Sequence, residues 1–274
     1  MVAHFVDVSV VVPCFRCAGS VERAVASVLC QLARPREVIL VDDCSQDGTL
    51  ELLHEMASRE PGLIKVVAMQ TNQGAGQARN AGWDLARGRF VAFLDADDSW
   101  HPQKLSVQYA YMCANPGVML SGHTHRFGEY GPGEPLLQGP LNTRELGPWA
   151  VMLRNPFVTP SVMVLAATSH RFRSGRRYME DHLLWMELAL SGARVVKLEA
   201  PLATLYKGQV GVGGLSSHVW SMSGSDFSNY LLLYKFSGLG AFGLVACWSW
   251  VVVKFLRRAM LLLIKRFLGG GGLA

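Results

Sequence analysis

The chain has 274 residues, half of them apolar and 17% charged, which excludes a disordered, collagen-like or coiled-coil protein and leaves room for one large core with an appendage. Its net charge of +5 is confined to the end, because five of the 26 bases lie from Lys254 onward with no acid among them. The remaining body is balanced in charge, carries no general positive field for a polyanion, and argues against a nucleic-acid partner.

Residues 6–12 form a valine-rich run that Pro13 stops, as expected of a strand buried on both faces. Ser20 then precedes a segment in which Val21, Val25, Val28, Leu29 and Leu32 recur at helical spacing. A second run, 38–41, ends in Asp42-Asp43 and is followed by a helical stretch over about 49–58. The third run, 64–69, leads through a glycine-containing loop into a helix over about 76–87; the fourth, 90–94, ends in Asp95-Ala96-Asp97-Asp98. Four alternations of continuous apolar strand and helix, with connections too long for hairpins, predict an α/β fold with a Rossmann-like, mostly parallel sheet and helices on both faces. After His101-Pro102 another helix begins, and beyond Asn115 the pattern loosens. Residues 127–148, with five glycines and four prolines, suit a long loop; a short strand over 161–165 and a helix over 180–190 follow.

In open parallel sheets, ligands bind outside the carboxyl ends of the strands. Asp42-Asp43 and the Asp95, Asp97, Asp98 group both fall at such ends. Carboxylates gathered there repel one another unless a cation sits among them. A Mg²⁺ or Mn²⁺ ion does this with few protein ligands and leaves its other positions to water and phosphate.

Four segments resemble, in order and spacing, the signatures of family 2 glycosyltransferases with the GT-A fold, of the bacterial cell-envelope type: 8–15, 38–49, Asn72-Gln73-Gly74 through Ala78-Arg79-Asn80-Ala81-Gly82, and 93–98. The resemblance implies that Pro13 and Asp43, with Asp42 beside it, touch the base and ribose of a nucleotide-sugar donor. It implies that Arg79 lies near the base and phosphates. Asp97 would be the direct metal ligand, with Asp95 reaching the ribose and the metal's water shell. Glu180-Asp181 with Trp185 resembles the family's acceptor-side motif, in which the aspartate, here Asp181, is the general base. A sugar hydroxyl needs such a carboxylate to take its proton during attack. One in-line displacement with inversion is implied, from a nucleotide donor, expected to be a UDP-sugar, to a saccharide or lipid-linked acceptor. Where relatives carry a cation near the diphosphate, this chain offers Lys207 or His218, flanking a glycine-rich stretch suited to a flap.

Two other readings fit parts of the sequence. A sugar-phosphate nucleotidyltransferase would use a similar sheet and metal-bound aspartate, but residues 13–20 lack its glycine-rich basic loop. Cys14 and Cys17 follow a strand and precede a helix, where a thioredoxin-like redox pair would sit, yet such a pair does not account for the aspartates. Six cysteines without a framework of spacings, and an N-terminus without a basic leader, point to a reducing, cytosolic setting.

The tail returns to the charge. Residues 236–253 carry none, about enough to enter or barely cross a hydrocarbon core. Beyond them Lys254, Arg257, Arg258 and Lys265 are expected on one side of a helix whose other side holds Leu256, Met260, Leu263 and Phe267, a pattern for an anionic membrane surface. The expected organisation is a catalytic domain over 1–220, with a nucleotide half (1–115) and an acceptor half (116–220). Apolar and amphipathic helices over 221–274 would hold it at the cytoplasmic face of the inner membrane, spanning once or lying on it.

Overall fold

The computed structural model describes residues 4–128, 136–206 and 219–269. The chain divides into two compact units, Met1–Ser217 and His218–Ala274.

The first unit opens with strand β1 (His4–Cys14), helix α1 (Val21–Leu29), β2 (Ala33–Asp42), α2 (Thr49–Arg59), β3 (Ile64–Ala68), α3 (Ala75–Asp84) and β4 (Phe90–Phe93). These four strands lie side by side in the order β3-β2-β1-β4, every pair parallel. Their apolar runs are continuous because both faces are covered: Val8, Val10, Val11 and Val12 of β1 are wholly buried, as are Val38, Ile39, Leu40 and Val41 of β2. Each such side chain contributes about 1.5–3 kcal/mol of burial.

The α3 helix approaches β1 closely, and Gly82 makes that possible: a Cβ there would come 2.5 Å from Val11 Cγ1. Gly48, at φ +79°, ends the β2 loop in the left-handed conformation that starts α2 without strain.

The sheet continues with β5 (Ser99–Trp100), α4 (Lys104–Ala114), β6 (Val118–Phe127), β7 (Thr143–Leu146), α5 (Pro148–Leu153), a 3₁₀ turn at Thr159–Ser161, β8 (Met163–Leu165), α6 (Glu180–Leu190) and β9 (Arg194–Leu205). Beyond β4 the order is β8-β6-β9-β5, with β7 also on β9. β8 runs antiparallel to β4 and β6, whereas β6 and β9 are parallel, so β1, β2, β3, β4, β6 and β9 share one direction. The loosely patterned second half therefore holds two long strands, β6 and β9, that periodicity did not reveal. Both interrupt their apolar residues with polar ones, and their pairing carries register shifts at several points. Trp100 is a core residue, 1% exposed, its indole N–H donating to the Pro160 carbonyl at 2.8 Å.

The second unit holds α7 (Val219–Phe236) and α8 (Ala241–Gly269). Two tail expectations change here. The uncharged run 236–253 is not one helix, since α7 ends at Phe236 and α8 starts at Ala241 after Gly238 at φ +78°. Among the described residues no helix is long and apolar enough to cross a membrane. Lys254 does not stand on an open basic face; its ammonium pairs with Asp226 of α7 at 3.0 Å. Tyr230, Leu233, Cys247 and Val251 are buried, and the Trp248 indole N–H donates to the Phe227 carbonyl at 3.2 Å.

Candidate active site

The carboxyl ends of β1, β2 and β4 deliver Pro13, Asp42-Asp43 and Asp95 to one edge of the sheet, as their parallel pairing requires. Asp43 is buried, and its two carboxylate oxygens accept the backbone N–H groups of Gln73 (2.7 Å) and Gly74 (2.8 Å). Asn72 donates to the Asp43 carbonyl at 3.1 Å, so the loop before α3 is tied to the end of β2. Asp42 accepts the Ser45 N–H at 3.0 Å through one oxygen, while the other is buried without a partner. That orphaned acceptor is available to a donor group such as a ribose hydroxyl or a base N–H.

Helices α3 and α6 meet at their first turns, where a Cβ on Gly76 would lie 3.1 Å from Glu180 Cγ. This contact joins the two halves of the unit across the site. Arg79, one turn into α3, is buried between them, its guanidinium reaching Asp95 at 2.7 Å and Glu180 at 3.3 Å. To the place expected for Arg79, beside the base and phosphates, the structure adds an ion pair with each of these two carboxylates. Arg79 keeps its proton more firmly than usual: burial opposes the charge, but Asp95 and Glu180 outweigh it. Burial pushes the Glu180 carboxyl up to about 7, with Asp181 adding to the rise and Arg79 opposing it.

Asp181 stands in the first turn of α6, after Met179 in a left-handed conformation. One carboxylate oxygen accepts the Thr159 hydroxyl at 3.2 Å and the Asn155 amide at 3.4 Å; the other accepts the His182 N–H at 2.6 Å. The carboxylate is thus held from three sides while remaining partly exposed. Asn155 lies in irregular chain and Thr159 at the start of the short 3₁₀ turn, where no periodicity or motif singles them out. Glu180 was visible as part of a motif, but its bridge to Arg79 was not.

Asp95 and Asp97 are partly exposed, and Asp98 is buried. Burial raises the Asp95 carboxyl, Arg79 opposes, and the charges of Asp97 and Asp181 raise it further. Three carboxylates therefore sense one another across the end of β4. The Asp97 carbonyl accepts a bond from Arg23 at 2.7 Å, and the same guanidinium lies 3.7 Å from the Tyr206 ring centre. No cluster of three or more His, Cys, Asp or Glu side chains is arranged as a cage for a metal ion among the described residues. Two partly exposed, hard-oxygen ligands amid like charge nevertheless fit a Mg²⁺ or Mn²⁺ ion that fills its remaining positions with water and phosphate. Lys207 and His218 lie outside the described residues.

A mostly parallel α/β sheet with an aspartate-rich carboxyl edge is the class this fold and site define. The glycosyl transferase family 2 model matches residues 9–172, more than half the chain, and the protein belongs to that family. The amylovoran biosynthesis glycosyltransferase AmsE of Erwinia amylovora is 32% identical over 195 residues, 68% of this chain and 67% of that one. WfaP of Escherichia coli, named as a UDP-Glc:α-D-GlcNAc-diphosphoundecaprenol β-1,3-glucosyltransferase, is 32% identical over 107 residues, 38% of this chain and 41% of that enzyme. Other curated relatives, 41–43% identical, are spanned over only 28–41% of their length.

Among solved structures, Staphylococcus aureus TarS 1–349 with UDP-GlcNAc superposes with a TM-score of 0.66 at 20% identity, covering 89% of this chain and 71% of that one. The Pyrobaculum calidifontis mannosyltransferase PcManGT with GDP-Man and Mn²⁺ gives 0.63 at 16% identity, covering 93% and 75%. These likenesses establish the GT-A fold.

Proposed function

We propose that this protein is a metal-dependent, inverting glycosyltransferase that moves a sugar from a nucleotide donor, a UDP-sugar, to a hydroxyl of a saccharide or lipid-linked acceptor in envelope polysaccharide or glycolipid synthesis. The observation that carries this reading is the Arg79 bridge from Asp95, after β4, to Glu180 in the first turn of α6, beside an Asp181 held by Thr159 and Asn155. Family membership supports it, as do the nucleotide-sugar in TarS and the lipid-linked acceptor in the name of WfaP.

In the proposed reaction Asp181 takes the proton of the acceptor hydroxyl as its oxygen bonds the anomeric carbon, while the bond from that carbon to the diphosphate breaks on the opposite side. Asp97 and Asp95 would hold a Mg²⁺ or Mn²⁺ ion, whose charge supports departure of the diphosphate. Pro13, Asp42 and Asp43 line the base and ribose, and Arg79, fixed by Asp95 and Glu180, lies near the base and phosphates. Lys207 adds a cation for the diphosphate.

A membrane surface is the proposed site of work, on the cytoplasmic side. On α8, Phe242, Val245, Val252, Val253, Leu256 and Met260 are exposed at helical spacing, with Arg257 also exposed. Such an apolar stripe beside an exposed arginine suits an anionic interface.

The test is a screen of nucleotide-sugars with purified full-length protein, reading release of nucleoside diphosphate with a lipid-linked acceptor fraction present. The reading expects UDP release that needs Mg²⁺ or Mn²⁺ and falls at least 10³-fold in Asp181→Asn and in Asp97→Ala. Full activity in either folded variant would sink it, and pyrophosphate as the product would transfer the site to a nucleotidyltransferase.

A further inference from the structure

The turn that carries Asp97 has one peptide group held from both ends. The Asp98 N–H donates to the Asp95 carbonyl at 3.1 Å, and the carbonyl of Asp97, at the other end of that same peptide group, accepts the Arg23 guanidinium at 2.7 Å. A peptide group is planar, so holding its C=O and its N–H fixes the plane, and with it the rotation about the Cα–C bond of Asp97. Together with the end of β4 before it, that plane sets the direction in which the Asp97 side chain leaves the backbone.

Arg23 is the first of three polar residues, spaced four apart, that α1 and its end turn toward this segment. Ser27, one turn on, accepts the Trp100 N–H at 3.0 Å; Gln31, just past α1, donates to the His101 carbonyl at 2.8 Å and accepts the Leu105 N–H at 2.9 Å. Residues 97–105 are thereby fastened along one side of the helix. Gln31 is buried and Ser27 partly so, and their bonds belong to the core, whereas Arg23 is exposed. Among the described residues Arg23 makes no ion pair. Its guanidinium lies instead 3.7 Å from the Tyr206 ring centre, and the Tyr206 hydroxyl is 3.2 Å from Ser99 Oγ of β5. A ring against its face and a carbonyl at its edge leave the guanidinium little freedom to turn. An exposed arginine held in this way adds little to the core; what it fixes is the peptide beside Asp97.

We propose that Arg23 is a positioning residue for the cation site: held against the Tyr206 ring, it grips the Asp97 carbonyl and so aims the Asp97 carboxylate, without itself touching the Mg²⁺ or Mn²⁺ ion. This statement rests on the metal reading proposed for Asp97. Groups that orient a ligand from behind it govern metal affinity by about 10–100-fold.

Charge and position make opposite forecasts for Arg23. As a bare charge it repels a divalent cation, so its removal would tighten metal binding. As a clamp it fixes the 97–98 peptide, so its removal weakens metal binding.

The experiment titrates full-length protein with Mn²⁺ at saturating UDP and reads the free ion by electron paramagnetic resonance, with urea unfolding of the same preparations alongside. Arg23→Met keeps an apolar stem beside Tyr206 and loses every donor. It is expected to weaken Mn²⁺ binding about 10–100-fold while its unfolding midpoint stays at the wild-type value. Arg23→Lys, with a donor but without the planar fork, is expected to recover part of the affinity. Unchanged or tighter Mn²⁺ binding in Arg23→Met, or a loss of affinity matched by a fall in the unfolding midpoint, would overturn the proposal. A wild type that takes up no Mn²⁺ removes the metal reading of Asp97 and this proposal with it; a wild type that binds Mn²⁺ no better than Arg23→Met removes this proposal alone.

Discussion

Replacing Arg79 by Met keeps an unbranched apolar stem, two heavy atoms shorter, and removes the one guanidinium that joins Asp95 to Glu180, at 2.7 and 3.3 Å. Breaking a buried ion pair from one side costs about 3–5 kcal/mol when the partner stays charged. Here one partner has an escape, because Glu180 already titrates at about 7. At pH 8, holding it neutral costs about 1.4 kcal/mol for each unit above its own pKa, so the loss is expected near the lower end, about 3 kcal/mol. The sign with pH follows from the same group. Its folded value is raised above the ordinary 4.5 by burial first and by Asp181 next, so between about 4.5 and 7 the folded chain holds more protons than the unfolded one. Stability from this group therefore increases as pH falls through that window. Without Arg79 the carboxyl rises further and the deficit shrinks toward pH 5, to about 1–2 kcal/mol. Urea unfolding of wild type and Arg79→Met at pH 8 and pH 5.5 measures both numbers. A variant within 0.5 kcal/mol of wild type at pH 8, or a deficit that grows on acidification, would refute the argument that Arg79 serves as a buried clamp.

Three further outcomes follow from the same coordinates. Lys104 is wholly buried, its ammonium 3.7 Å from the Trp100 ring centre and without a hydrogen-bond partner, and burial lowers its pKa well below 10.5. A lysine depressed on folding makes the unfolded chain the greater proton binder, so stability from it rises with pH; Lys104→Met should add about 1 kcal/mol at pH 6 and nothing near pH 10, by thermal or urea unfolding. Gly82→Val forces α3 off Val11 and should cost about 1–3 kcal/mol while weakening UDP binding through Arg79 one turn away, measured by unfolding and calorimetry. Replacing Val245 and Leu256 by Asp on the exposed face of α8 should abolish co-sedimentation with anionic vesicles; undiminished sedimentation would remove the membrane reading.

The run from β1 to β4 was legible because its pattern is local. Parallel strands buried on both faces must be continuous apolar runs, so residues 6–12, 38–41, 64–69 and 90–94 announced β1 to β4, and the aspartates that end them were bound to lie at one edge. The acceptor half was not legible. β6 and β9 interrupt their apolar residues with polar ones without a regular period and bulge against each other, and Asn155 and Thr159 sit in a loop and a single 3₁₀ turn whose only meaning is what they touch. The tail was half legible: its charge pattern was plain, but the break at 237–240 and the pairing of Lys254 with Asp226 depend on which helix lies opposite.

By itself, then, the sequence determined the order of elements and the residue types at the carboxyl edge, since burial and strand direction are written in local periodicity. Only the tertiary structure decided that Arg79 faces Glu180 as well as Asp95 and that Asp181 is held by Thr159 and Asn155. Those pairings join segments distant in the chain. Nothing in a local pattern encodes them, because the helix-on-helix contact at Gly76 and Glu180 exists only after both halves have packed.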